Sequence, residues 1–284
     1  MSASNETKEA VVQTKRIELP NSSAEAILVI LNRPTQKNCF NTHVVHSLAS
    51  IFASIANNTN QEYDDIIAII FTGNGDSFCA GADLSNPPNP IEQSSDLHDH
   101  LLINPVYQMS RIKIPIIGAL KGYVITGGFE LALACDILVG DETTKFRDTH
   151  CKFGLAPCWG LSQRLQRKIG PGRAKLVSYS TKPVNAKLAY EWGLLDELVD
   201  SSNIRSLDKA IEIADMIGAQ NQSMVQRYKR ALEEGGAMEL SKGLQREREL
   251  GLAHYLEIVN DGQTFQSAKE YIADEERPRL QSKL

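Results

Sequence analysis

Two short runs of branched apolar residues, "AILVIL" at 26–31 and "DIIAIIF" at 65–71, constrain this chain more than any other feature. Both fall far below the ~20 residues that span a bilayer, so each reads as a buried strand and not as an anchor. Between them, residues 42–57 carry Val44, Val45, Leu48, Ile51, Phe52 and Ile55 at helical spacing, with Thr42 as the expected cap. "IPIIGAL" (114–120) and "DILVG" (136–140) repeat the strand signal around a further helical stretch. Strand and helix signals that alternate in this way through the first two hundred residues predict an α/β fold rather than segregated layers.

Punctuation along the chain suggests its organisation. The first run ends at Asn32-Arg33-Pro34, where proline removes a ladder donor, and the second stops at the glycine-rich "TGNGDSF". Residues 85–104 contain Pro87, Pro88 and Pro90 and read as a surface excursion of the kind that covers binding sites. "GLSQRLQRKIGPGRAKLVSYS" holds two short helices broken at Gly170-Pro171-Gly172, and from Ile204 the chain is almost wholly helical. Its 237–259 stretch spaces Met238, Leu240, Leu244, Leu250, Leu252 and Leu256 as a long, imperfect amphipathic helix. The expected organisation is a loose polar arm (1–20), an α/β core (21–200), a helical region serving as lid or oligomer face (201–275) and a tail (276–284).

A net charge of −5 and a pI near 5.7 give no global attraction to nucleic acid or anionic membranes. Five cysteines without C-x-x-C spacing, an odd count and a polar beginning that resembles no secretory segment predict reduced thiols in an intracellular setting. The chain ends on Ser282-Lys283-Leu284, the tripeptide address read by the peroxisomal import receptor.

Two glycine-rich turns, "GNGDSFCAGADL" (73–84) and "GYVITGGFEL" (122–131), each follow a strand. Glycine costs roughly 1 kcal/mol in a helix, so the Gly127-Gly128 pair at a helix start implies that bare backbone is wanted there. Small residues leave N–H groups uncovered, and two such turns facing one another would form an oxyanion hole, in which one donor is worth around 3 kcal/mol. Glu130 lies three helical residues after Gly127, an advance of about 4.5 Å that nearly completes a turn. It is either an acid–base group beside a bound carbonyl or a plain complement to the helix dipole. His43 and His46 have no spaced partner for a metal site and read as surface histidines, as do His98 and His100. No metal site is expected.

At these positions the chain resembles a known family. "LNRP", "FTGNGDSFCAGADL", "PIIGALKGYVITGGFELALACD" and "KFGLAPCWGLSQRL", in this order and spacing over about residues 26–200, are similar to segments of the crotonase (enoyl-CoA hydratase/isomerase) superfamily. The resemblance implies a crotonase-type spiral of ββα repeats with a helical C-terminal region, a homo-oligomer built on trimers (a trimer or a dimer of trimers), and an acyl-CoA thioester as substrate. Coenzyme A then belongs to the substrate, and no separate cofactor is expected. Carried across residue by residue, the oxyanion donors fall on the amides of Ala82 and Gly127, and the first catalytic glutamate on Glu130. Ala80, Asp83 and Gly128 join them as implied substrate- or CoA-binding residues. Backbone near Gln36 is placed against the CoA moiety, with Arg33 and Lys37 as phosphate contacts in place of basic residues that the family often carries where Asp76 and Ser85 stand. Cys158-Trp159 would line the acyl tunnel.

One position departs from the pattern. Hydratases of the family place a second glutamate twenty residues after the first, and here that residue is His150. A histidine, with an ordinary pKa near 6.5, either takes over one acid–base role or sits hydrogen-bonded beside the pocket. Asp148 is a weaker stand-in, because in an extended segment it would point the other way. The expected activity is hydration of a 2-trans-enoyl-CoA to the 3-hydroxyacyl-CoA in fatty-acid β-oxidation. The alternatives are Δ3-Δ2 isomerisation, thioester hydrolysis, or a silent acyl-CoA-binding subunit.

Overall fold

The structure is a computed structural model that describes residues 10–88 and 101–260. The Ser282-Lys283-Leu284 tail, His98, His100 and most of the proline-rich excursion lie outside the described residues. The chain divides into two compact units, 1–226 and 227–284.

In the first unit a six-stranded sheet has the order β1 (Val12–Glu18), β2 (Glu25–Leu31), β3 (Ile66–Gly73), β4 (Ile116–Leu120), β6 (Ile137–Asp141), β9 (Glu197–Val199). All its neighbours pair in parallel except β1 and β2. Parallel sheets are covered on both faces, which is why β3 reads as an unbroken apolar run: every one of its residues is buried. A second, three-stranded sheet joins β5 (Tyr123–Ile125), β7 (Lys145–Arg147) and β8 (Val184–Asn185). Two isolated bridges, Phe40 with Ala82 and Cys79 with Val124, bring further chain alongside it.

The connectivity is a spiral. β2 leads to Phe40 and then α1 (Thr42–Asn57); β3 leads to the bridged residues Cys79 and Ala82. β4 leads to β5 and then α3 (Gly127–Leu133), which follows α2 (Pro105–Met109) in the chain; β6 leads to β7 and then α4 (His150–Phe153). Each turn lays one strand in the large sheet and one extended segment beside the small one, which is the expected ββα repeat. Phe40, Phe71, Phe78, Phe129 and Phe146 anchor the interior between the layers.

Three boundaries differ from expectation. The cap of α1 is Asn41, whose side chain accepts from Val44 N–H, and Thr42 is already helical. Residues 12–18 are not a loose arm: they form β1, antiparallel to β2. Only Val12 of β1 is buried, so its polar sequence carries no burial signal; ladder hydrogen bonds hold it. Finally, the packing unit runs past residue 200. Helix α8 (Ser206–Gly218) buries Ala210 and Ala214 among Ile70, Ile117 and Val139 of β3, β4 and β6. The helices α5 (Leu161–Ile169), α6 (Pro171–Ser180) and α7 (Ala186–Glu191) precede it, and α5 and α6 break at Gly170 as the sequence suggests.

In the second unit, α10 (Leu240–Asn260) follows the end of α9 (Gln222–Gly236). Arg246 bonds Glu234 and Glu249, and Arg230 bonds Glu234, which forms a chain of surface ion pairs. Leu240, Leu244, Leu252 and Leu256 of α10 are exposed.

Candidate active site

The two glycine turns meet. Phe40 N–H donates to Gly81 carbonyl and Asp83 N–H to Phe40 carbonyl, both at 2.9 Å, so Ala82 is flanked by these bonds while its own amide takes no partner among the described residues. Cys79 N–H donates to Tyr123 carbonyl at 2.9 Å and Ile125 N–H to Cys79 carbonyl at 3.0 Å, which fastens this turn to β5 immediately before Thr126-Gly127. The Gly127 amide is likewise without a partner among the described residues.

Why the glycines are needed is now visible. A Cβ on Gly127 would lie 2.3 Å from Phe40 Cζ, and one on Gly128 would lie 2.4 Å from the Cys79 carbonyl oxygen. They admit close packing of the two turns, a requirement set by residues about fifty to ninety positions away and so not readable locally. Thr126 holds the strained corner, with φ 51° and ψ −110°. Such a conformation costs a non-glycine residue about 1–3 kcal/mol. Its hydroxyl accepts from Thr149 N–H at 3.1 Å and bonds the Thr149 hydroxyl, and its own N–H donates to Arg147 carbonyl. The segment that carries His150 therefore also fixes the corner before Gly127.

Glu130, on the first turn of α3, is only 3% exposed. Its Oε1 accepts from the amides of Trp159 at 2.9 Å and Leu161 at 3.3 Å. Its Oε2 lies 3.8 Å from Nε2 of His150, which is also buried. The other imidazole nitrogen, Nδ1, is 2.7 Å from Oδ1 of Asp148, and that same oxygen accepts His150 N–H at 3.0 Å. Asp148 thus turns toward the histidine rather than away from the site; a short turn into α4, not an extended segment, makes this geometry. Burial holds the Glu130 carboxyl above the usual range, opposed by the Trp159 amide and the charge of His150. Burial works against the His150 cation, but the bond to Asp148 and the charge on Glu130 outweigh it and hold the imidazole above its ordinary value. Burial opposes ionisation of Asp148 as well, yet its bonds to His150 prevail and keep its carboxyl below the ordinary range. Phe40 stacks on Trp159 at 5.1 Å between ring centroids and walls this group.

Of the residues nominated from sequence, Ala80, Ala82, Asp83, Gly127, Gly128, Glu130 and His150 come together. Arg33 is committed elsewhere: it bonds Asp83 at 2.9 Å and the Cys39 carbonyl at 2.5 Å, bracing the loop that carries Ala82. Lys37 pairs with Asp76 at the surface. Gln36 is exposed at the end of the one-turn 3-10 helix Pro34–Gln36. Thr126, Thr149 and Trp159's amide were not singled out by sequence, since their roles depend on backbone conformation. A cleft of about 280 Å³ between α5 and α6, lined by Leu161, Leu165, Ala174, Ser178 and Tyr179, does not border Glu130. No His, Cys, Asp and Glu cluster among the described residues has metal-site geometry, and no described helix is long and apolar enough to cross a membrane.

A sequence profile of the family described as "Enoyl-CoA hydratase/isomerase" matches residues 21–271. The chain is 36% identical over 273 residues to "Probable enoyl-CoA hydratase 1, peroxisomal" of Arabidopsis thaliana, covering 96% of this chain and 98% of that one. It is 30% identical to the "Short-chain-enoyl-CoA hydratase" of Clostridium acetobutylicum, over 78% of this chain and 83% of that one. Among solved structures, an enoyl-CoA hydratase from Bacillus anthracis superposes with a TM-score of 0.72 at 28% identity, covering 89% of this chain and 97% of that one.

Proposed function

We propose, because this chain belongs to the enoyl-CoA hydratase/isomerase family, that its site adds water across the double bond of a 2-trans-enoyl-CoA to give a 3-hydroxyacyl-CoA, the hydration step of β-oxidation-type metabolism. The observation that carries this reading is the 3.8 Å approach of His150 Nε2 to Glu130 Oε2. A water about 2.8 Å from each atom can be held by both at once.

In this reading the amides of Ala82 and Gly127 donate to the thioester oxygen and stabilise the enolate that forms when the β-carbon is attacked. Ala80, Asp83 and Gly128 shape that hole, and Arg33 braces it through Asp83. His150 Nε2 takes a proton from the water, whose oxygen bonds the β-carbon. The π electrons move toward the carbonyl, and Glu130, one helical turn from Gly127, gives its proton to the α-carbon. Glu130's raised pKa favours the protonated acid this requires. Afterwards the histidine carries a proton and the glutamate lacks one, and a transfer between these neighbours resets the site. Thioester polarisation supplies the electron sink, so the reaction needs no cofactor beyond the coenzyme A of the substrate. The backbone near Gln36 faces the CoA moiety. Lys37 would have to leave Asp76 to reach a phosphate.

Import into peroxisomes is proposed from Ser282-Lys283-Leu284, in accord with the printed name of the Arabidopsis relative. The exposed leucines of α10 support a homo-oligomer, a trimer or a dimer of trimers. Parallel assays on 2-trans-enoyl-CoA and 3-enoyl-CoA test the activity. A product heavier by one water supports hydration; migration of the double bond at constant mass, or binding without turnover, contradicts it.

A further inference from the structure

We propose that Asp148 is a positioning residue that fixes the protonation pattern of His150, so that a histidine can serve where a second carboxylate would otherwise hold the water. The inference rests on the hydratase reading above and extends it to a residue that makes no contact with substrate.

An ionised carboxylate only accepts hydrogen bonds. Oδ1 of Asp148 takes two contacts, the His150 backbone N–H at 3.0 Å and the ring Nδ1 at 2.7 Å. A 2.7 Å contact between a ring nitrogen and a carboxylate oxygen needs a proton between them, and with Asp148 ionised that proton belongs to Nδ1. The neutral imidazole is thereby held in its Nδ1–H form, and the lone pair falls on Nε2, the atom that faces Glu130 Oε2. In the opposite tautomer Nε2 would carry hydrogen, Nδ1 would meet Asp148 lone pair to lone pair, and no base would face the water. Asp148 is 2% exposed, so this bond is formed away from solvent, where an ionic hydrogen bond is strongest. The titratable groups that face the imidazole are Asp148, from the β7–α4 link, and Glu130, from α3. Ser178 of α6 adds a neutral hydroxyl to the Asp148 side.

The competing account is that Asp148 only caps the short helix α4 through the His150 amide. Asp148→Asn separates the two, because its amide oxygen can still cap the His150 backbone N–H, while a neutral carboxamide, a donor as well as an acceptor, no longer requires the proton to sit on Nδ1. With 2-trans-enoyl-CoA, we expect kcat to fall on the order of 100-fold with KM changed less than about threefold. The alkaline limb of the kcat/KM profile should move to lower pH. In a His150→Gln background the same change should have less than about a threefold effect, since the group it acts through is gone. Equal losses in both backgrounds, or an unmoved alkaline limb, would overturn the assignment. Should the variant fail to fold, the wild-type protein answers directly: nitrogen-15 NMR of labelled histidine must show the neutral His150 ring protonated at Nδ1, and protonation at Nε2 would refute the proposal. If His150→Gln and Glu130→Gln each turn over like wild type, the hydratase reading itself fails, and this proposal with it.

Discussion

Nε2 of His150 stands 3.8 Å from Oε2 of Glu130, with both side chains buried and the far side of each already anchored. Glu130 is held by the amides of Trp159 and Leu161, and His150 by Asp148. Among the described residues, the two facing atoms are the ones left without another partner. Both groups are held above their ordinary pKa values, so the pair keeps its last proton to higher pH than a free imidazole would.

A bell-shaped pH dependence of kcat/KM follows. The competent pair holds one proton between Glu130 and His150. Raising the pH removes it, and because the imidazole is held above 6.5 the alkaline limb should lie above that value. Lowering the pH adds a second proton; with the Glu130 carboxyl held above 4.5, the acid limb should lie above that value. His150→Gln should lower kcat by about 10²–10⁴ and flatten the profile. An alkaline limb at or below pH 6.5 in the wild type would contradict the pairing.

Gly127→Ala and Gly172→Ala should act in opposite directions. The first places a methyl 2.3 Å from the buried Phe40 ring and should cost about 1–3 kcal/mol, seen as a lower midpoint in urea, together with a loss of turnover. The second puts alanine in helix α6, where a Cβ meets nothing within 4 Å, and should gain about 0.5–1 kcal/mol. Equal effects would mean that the Phe40 contact does not set the glycine requirement.

These glycines show where sequence reading reaches its limit. The turns, the acid one helical turn beyond Gly127 and the substituted His150 are local patterns, and so are the apolar strands. What the glycines pack against is not local: Phe40 and Cys79 arrive by the spiral. Asp148 looked misdirected because an extended segment alternates faces, whereas the turn into α4 brings it onto its neighbour's ring. Arg33 and Lys37 looked like free cations because Asp83 and Asp76 lie some forty to fifty residues away. β1 looked like an arm because an edge strand with three charged residues is held by backbone bonds.

Arg33→Ala should weaken the fold by about 1–3 kcal/mol, since it strips a largely buried partner from Asp83 and a donor from the Cys39 carbonyl. It should also lower kcat, because Asp83 follows Ala82 directly. The same contact predicts acid sensitivity. Bonds from Ser85 and then Arg33 hold the Asp83 carboxyl below its ordinary value, so its stabilisation is present above the unfolded pKa and is lost as pH falls through the folded one. Denaturant midpoints across pH 2–5 should fall less steeply in Asp83→Asn than in wild type.

The account turns on Glu130 giving its proton to the α-carbon beside a carbonyl that the two amides are proposed to hold. The most direct test is Glu130→Gln, assayed with 2-trans-enoyl-CoA for water addition and, in parallel, titrated with the same ligand for binding. The account predicts hydration lowered by at least about a thousandfold with Kd changed less than about threefold. Turnover near the wild-type rate in that variant would contradict it.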